Sequence, residues 1–335
     1  MKRFKALVVR ESNDEIIHNI EEIGFENLGQ GDVVIKVEYS SVNYKDMLAV
    51  RKNGGVIRSY PMIPGIDLAG EVVSSKSPKF KSGDKVLVTG FEIGMTHTGG
   101  YSEFACVPAE WVVKIPEGLT TKEVMMIGTA GFTSAISIMA LEKSGMCVEN
   151  QPEILVTGAS GGVGSVATQI LIKSGYKNIS VLSKERSKKS EFLNGLGVKK
   201  VYTLEEISPE EKKNKPLGKQ QFHYILDTVG GEVASRLLAH IHYGGSMSMC
   251  GNAGGIKFQT TVLPFILRGV NILGIDSVNY PIEKRECIWS RFANEWNVLD
   301  KLNYQEVELE SVSKVFQSLQ EGSHTGRTIV KLGSK

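Results

Sequence analysis

The chain has 335 residues, 41% hydrophobic and 23% charged, with a formal net charge of +2, the balance of a soluble globular protein long enough for two domains with separate cores. So small a net charge, with no basic run interleaved with aromatics, gives no case for nucleic acid, and no apolar stretch reads as a membrane span. Cys106, Cys147, Cys250 and Cys287 lie far apart without paired spacing, which suits reduced thiols and a cytoplasmic location.

The N-terminal run Met-Lys-Arg-Phe-Lys-Ala-Leu-Val-Val-Arg has too short an apolar stretch for a signal peptide and enters a strand pattern at once. From Met1 to about Lys122 short apolar strands alternate with Gly and Pro: 5–9, 32–37, 85–88 and 111–115. Such strands with irregular connections predict a largely β, partly open barrel. Met125 to Leu141, rich in Ala, Met and Ile, predicts a long helix that links this half to the next.

Alternation then begins, with strands expected at 153–157, 178–182, 199–203, 222–227, 245–250 and 270–275. That rhythm predicts a doubly wound parallel sheet with its ligand at the strand C-terminal ends. Glu205 to Lys219 is the most polar stretch and is expected at the surface. Beyond Ser277 the pattern predicts a helix over 282–298, another over 312–319, and a last strand over 328–332 that returns to the first domain.

The turn after the first of these strands is VTGASGGVGSVA, Val156 to Ala167. Gly158, Gly161 and Gly164 recur every third residue, and the segment from Ser165 to Ser174 reads as a helix ending at Gly175. Strand, glycine turn and helix form a dinucleotide-binding unit: glycines let a pyrophosphate approach the backbone, and the helix start supplies unpaired N–H groups and partial positive charge. Ser183 follows the second strand, 19 residues beyond Gly164, where a cofactor with a free ribose 2′-hydroxyl would meet an acid. Here Ser183-Lys184-Glu185-Arg186-Ser187-Lys188-Lys189 offers a hydroxyl and four cations against one carboxylate, which favours the 2′-phosphate of NADP(H).

The segments SSVNYKDMLAV, YPMIPGIDLAG, IGTAGFTSAISIMALE, VTGASGGVGS, LPFILRGVNILGIDSV and TGRTIVKL, in this order, span nearly the whole chain. Together they resemble the zinc-free medium-chain dehydrogenase/reductase superfamily, in its acryloyl-coenzyme A reductase and quinone oxidoreductase branch. The resemblance implies an α/β protein: a Rossmann-type NADP-binding domain at 125–278, and a mainly β, GroES-like catalytic domain at 1–124 and 279–335. Zinc members of the superfamily carry a cysteine near Asn43-Tyr44 and Gly-His-Glu near Pro64 to Asp67; this chain has neither, nor a four-cysteine lobe. His97, alone in its loop, reads as a hydrogen-bonding residue rather than a ligand.

By resemblance, Asn43, Tyr44, Asp46 and Asp67 are the polar residues around the catalytic cleft. Each also has a structural reading, Asn43 satisfying a turn and Asp67 bonding to backbone. Cofactor contacts carried over in the same way are Tyr44, Ser160, Gly161, Gly162, Val163, Ser183, Lys184, Arg186, Asn252, Ile266, Ser277 and Arg327. The family pattern after the second strand is one residue shorter, so Lys184 and Arg186 both stand as candidates for the 2′-phosphate. The activity implied is NADPH-dependent reduction of acryloyl-coenzyme A without metal. Reduction of quinones or small enones is an alternative, and a non-catalytic NADPH-binding protein is an alternative of another class. A homodimer is implied, through edge pairing of the sixth strand near Ile272 to Ile275, an edge that the chain's own segments could also cover.

Overall fold

The computed structural model describes residues 3–184 and 190–333. The chain divides into two compact units: Met1–Thr129 with Ser277–Asn294 and Asn303–Lys335, and Ala130–Asp276 with Glu295–Leu302.

The first unit opens with an antiparallel hairpin, Phe4–Ser12 on Glu15–Ile23. Asn13 and Asp14 form its two-residue turn at φ 52° and 64°, left-handed values that these two residue types tolerate and that match the twist of a hairpin. A seven-stranded sheet follows, in the order Tyr304–Glu308, Arg327–Lys331, Val33–Val42, Asp67–Ser75, Lys85–Thr89 and Val113–Lys114, with Phe104–Val107 also paired to Val33–Val42. Val33–Val42 serves three neighbours because its register shifts at Val34/Ile35 and Val37/Tyr39 bend it. Its first half pairs with Phe104–Val107 and its end with Arg327–Lys331. Val33, Ile35, Val37, Leu68, Val86 and Val88 fill the core between these strands.

The second unit holds a six-stranded, all-parallel sheet. Its order is Lys200–Tyr202, Ile179–Leu182, Ile154–Thr157, Phe222–Asp227, Ile241–Met249 and Asn271–Gly274. In sequence order within this unit that is third, second, first, fourth, fifth, sixth. Winding therefore reverses between Ile154–Thr157 and Phe222–Asp227, the point at which open α/β sheets bind ligands. Ile154–Thr157 and Ile179–Leu182 are buried at every position, as strands covered on both faces require.

Three expectations need correction. The linking helix runs from Thr121 to Lys143, with a break at Gly128 (φ 54°, ψ −163°). Contrary to the sequence reading, it is long and apolar enough to cross a bilayer, with mean hydropathy 1.8; most of it is buried in protein, so its apolarity is that of a core helix. The fifth strand starts at Ile241, not 245, because Gly244 (φ 73°) and Gly245, which look like breakers, form an irregularity inside the strand. The helix from Ile282 ends at Ala293, where Asn294 leaves helical geometry (φ −122°, ψ −106°).

Candidate active site

In the second unit, Gly158 takes φ 62° directly after the first strand, and a Cβ there would lie 2.2 Å from Thr228 Oγ1. Gly161 N–H donates to Gly158 O at 2.9 Å and closes the turn, and the helix Gly162–Lys173 begins with no acidic residue in its first turn. Gly164 packs that helix on the turn: a Cβ would meet Gly158 O at 2.4 Å and Ala159 Cα at 2.8 Å. Ser160, Gly161, Gly162 and Val163 are all partly open to solvent. The cradle is therefore bare backbone at a helix start, a fit for a diphosphate.

The turn is buttressed from the fourth strand. Thr157 Oγ1 donates to buried Asp227 at 2.7 Å and accepts from Thr228 N–H at 2.9 Å, while Thr228 Oγ1 donates to Thr157 O at 2.8 Å. Burial raises the Asp227 pKa. Two further glycine loops end the fourth and fifth strands. Gly254 N–H donates to Val229 O at 2.7 Å, and a Cβ on Gly251 would lie 1.8 Å from Thr228 O. Sequence reasoning passed over Thr228-Val-Gly-Gly231 and drew only Asn252 from Gly251-Asn-Ala-Gly-Gly255, although the paired glycines after strand patterns were the available signal. At the second strand's end Ser183 is buried, its N–H donating to Tyr202 O at 2.9 Å, and Lys184 is exposed. Arg186 lies outside the described residues. Asn252 is exposed, and so is Ile266, 69% open on the short helix Leu263–Arg268.

A cleft of about 650 Å³ opens in the same unit, lined by residues that include Lys213, Glu232, Arg236, Gly254 and Lys257. Arg236 is buried and paired with Glu205 at 2.8 Å, Glu210 at 3.0 Å and Glu232 at 3.6 Å, so its charge is already matched by acids. The polar stretch expected at the surface is thereby clasped to the fold.

In the first unit, the sequence candidates Asn43, Asp46 and Asp67 form one network. Asp67 is fully buried and accepts from Ser41 Oγ at 2.5 Å, Asn43 Nδ2 at 2.8 Å, Thr129 N–H at 2.9 Å and Thr129 Oγ1. Arg327, 2% exposed, donates to Ser41 Oγ at 2.9 Å, Asn43 Oδ1 at 3.3 Å and Met126 O at 3.0 Å. Both ends of the Asn43 carboxamide are thus engaged inside the protein. Asp46, also fully buried, accepts from the N–H groups of Asn43 (2.8 Å) and Ile66 (2.9 Å). Burial first, and the neighbouring charge of Asp67 second, push its pKa up to about 7. Burial holds the Tyr101 phenol well above its ordinary range, and its hydroxyl donates to Ser41 O at 3.1 Å. Tyr44 differs from the other three candidates, since it is 39% exposed.

Comparison with known proteins assigns this architecture. The family model described as Alcohol dehydrogenase GroES-like domain matches residues 29–117, and that described as Zinc-binding dehydrogenase matches 162–294. Acrylyl-CoA reductase AcuI of Ruegeria pomeroyi is 41% identical over 335 residues, covering 99% of this chain and 100% of the relative. The chain belongs to the medium-chain dehydrogenase/reductase superfamily. Within it, the branch is that of acrylyl-CoA reductases and quinone oxidoreductases. The Escherichia coli K-12 yhdH structure with bound NADPH shares the fold at TM-score 0.92 and 39% identity, over 98% of this chain and all of that one. The Bacillus subtilis yhfP structure with NAD bound gives TM-score 0.93 and 41% identity, over 99% and 100%; its sequence is provisionally named a quinone oxidoreductase.

Membership defines which departures matter. Among the described residues, no three His, Cys, Asp or Glu side chains gather as a metal-ligand set, although one family model is named for zinc. His97 places its ring nitrogens 3.0 Å from Thr98 O and 2.9 Å from Gln30 O, with its ring edge-on to Trp111. Ser277 belongs to the first unit, where its carbonyl accepts from Arg285 at 3.1 Å. Sequence reasoning also missed Ser41, Thr129 and Arg285. Ser and Thr carry no motif, and Arg285 sits in a charged helix where nothing marks it as buried.

Proposed function

We propose that this superfamily member is an NADPH-dependent reductase of an activated C=C bond, with acryloyl-coenzyme A as substrate and propanoyl-coenzyme A as product. The observation that carries the reading is the bare-backbone turn Gly158–Gly164 at the switch point of the parallel sheet, in a chain whose full-length relative at 41% identity is named for this reaction. The cofactor, when bound, would supply a hydride to the electron-poor β-carbon, and a proton from water or a side chain would complete the α-carbon.

The chain's residues do the rest. Ser160, Gly161, Gly162 and Val163 hold the diphosphate, and Ser183 with Lys184 or Arg186 takes the 2′-phosphate. An NAD-bound relative stands against the preference for NADPH; the absence of an acid at Ser183 supports it. Asn252, Ile266 and Ser277 line the nicotinamide half. Tyr44, the exposed hydroxyl among the four catalytic candidates, donates to the carbonyl oxygen as negative charge develops there. Asn43, Asp46, Asp67 and Arg327 act by positioning, because their polar atoms are already engaged with one another and with backbone.

Following NADPH oxidation with acryloyl-coenzyme A, with a quinone and with no acceptor tests the assignment. Turnover is expected with the thioester. Strong turnover only with quinone would establish the second reading, which the name of the Bacillus relative favours. Binding of NADPH without any turnover would establish a non-catalytic protein. The outermost strand Asn271–Gly274 pairs on one side with Ile241–Met249, which supports a homodimer by edge pairing, and sedimentation measures that. Four unpaired cysteines support the cytoplasm as the compartment.

A further inference from the structure

Two chain crossings bound residues 130–276, one at Thr129/Ala130 and one at Asp276/Ser277. Each is gripped on the catalytic-domain side by a buried arginine that donates to backbone carbonyls of the crossing segment as well as to side chains. At the first crossing the helix breaks at Gly128, which interrupts its ladder of backbone hydrogen bonds. Arg327 donates to the carbonyls of Met126 (3.0 Å) and Met125 (3.5 Å), and Asp67 accepts the N–H of Thr129 at 2.9 Å. No side chain fits at the break: a Cβ on Gly128 would stand 2.6 Å from Arg327 Nη2 and 2.7 Å from Asp67 Oδ2.

At the second crossing Arg285, 1% exposed, donates through Nη2 to Ser277 O (3.1 Å) and Val278 O (3.0 Å), and through Nε to Tyr280 O (3.0 Å). Its Nη1 donates to Thr89 O at 2.8 Å and Thr89 Oγ1 at 3.1 Å. The guanidinium lies 4.5 Å over the Phe91 ring, and Phe91 N–H donates to Val278 O at 2.9 Å. A planar fork of five donors can tie a strand end to a crossing segment in this way, and the ammonium of lysine cannot.

We propose that Arg285 and Arg327 are positioning residues for hydride transfer, each anchoring to the catalytic domain one of the two crossings that bound residues 130–276. This rests on the NADPH-dependent reading above. Neither guanidinium belongs to the diphosphate turn, where most of the cofactor's charge is held, so loosening it degrades reacting geometry, to which rate is steeply sensitive, more than it weakens cofactor binding.

Arg285→Lys and Arg327→Lys are compared with wild type by NADPH fluorescence titration, turnover with acryloyl-coenzyme A, the isotope effect of NADPH deuterated at the transferred hydrogen, and amide hydrogen exchange. Expected are full NADPH stoichiometry, Kd within twofold, kcat lower by about 10- to 100-fold, a larger isotope effect, and faster exchange confined to 124–129 for Arg327→Lys and to 91 and 277–280 for Arg285→Lys. Unchanged kcat per bound NADPH, or a loss of turnover that only tracks lost binding stoichiometry, overturns the proposal. Should the lysine variants fail to fold, Phe91→Leu keeps Arg285 and removes the ring beneath it, together with that ring's stacking on Trp111. A several-fold fall in kcat at constant Kd supports the anchor, and wild-type kcat refutes it. Wild-type protein that neither binds NADPH nor reduces an activated alkene would instead sink the functional reading.

Discussion

Asp67→Asn separates charge from shape in the buried network. The amide can keep Oδ2 as acceptor for Ser41, Asn43 and Thr129 N–H and turn its NH2 toward the Thr129 hydroxyl, which can rotate to accept. What disappears is the negative charge beside Arg327. The two charges are joined through Ser41 and Asn43 rather than directly, so the cost of breaking a buried pair, about 3–5 kcal/mol, bounds the loss from above. At pH 5 Asp46, with its pKa near 7, is protonated and supplies no replacement charge. By pH 8 Asp46 is ionised in wild type despite Asp67, and in the variant that repulsion is gone. Each pKa unit thereby released returns about 1.4 kcal/mol, so the penalty shrinks with rising pH. For a unit in this size range, about 2–4 °C per kcal/mol puts the upper limit of the loss in thermal midpoint at roughly 6–20 °C at pH 5, and several degrees less at pH 8. Thermal unfolding of the ligand-free protein at both pH values reads this. A midpoint within about 2 °C of wild type at both, or a penalty that grows with pH, would refute the electrostatic account.

Wild-type stability should itself titrate through Asp46. Its folded pKa of about 7 lies above the ordinary 3.8, so the stabilisation is complete below about pH 4 and is lost as pH rises through 7. The full span is at most about 4 kcal/mol by the same conversion; Asp46→Asn should flatten the midpoint-versus-pH curve relative to wild type, and parallel curves would exclude this group. Gly164→Ala drives a Cβ into the backbone of Gly158 and Ala159, so the turn must open. NADPH affinity should fall at least about tenfold and stability by about 1–3 kcal/mol; calorimetric titration with unchanged affinity would show that the turn does not hold the cofactor. Tyr44→Phe keeps the ring and loses the donor, and kcat should fall by about 10²-fold with the thermal midpoint unmoved; wild-type turnover would remove Tyr44 from the chemistry.

Local pattern carried far in this chain. Contiguous β-branched runs, glycines at intervals of three and the absence of an acid at Ser183 are properties of neighbouring residues, so the strand–turn–helix unit, the alternation of the second domain and the cofactor class follow from the sequence. Asn43, Asp46 and Asp67 entered through family resemblance, and their mutual arrangement did not. Ser41, Asn43, Asp67, Thr129 and Arg327 are separated by up to 286 positions, and it takes the pairing of Val33–Val42 with Arg327–Lys331 and Asp67–Ser75, with the helix Thr121–Lys143 supplying Thr129, to bring them together. The same limit hides Arg285, whose partners include main-chain carbonyls that any residue would offer. Sequence thus determined which groups can be made locally. Burial, the Asp46 pKa and the anchoring of both crossings were decided by tertiary structure, because desolvation and hydrogen bonding depend on what the fold brings within 3 Å, not on what the chain spells nearby.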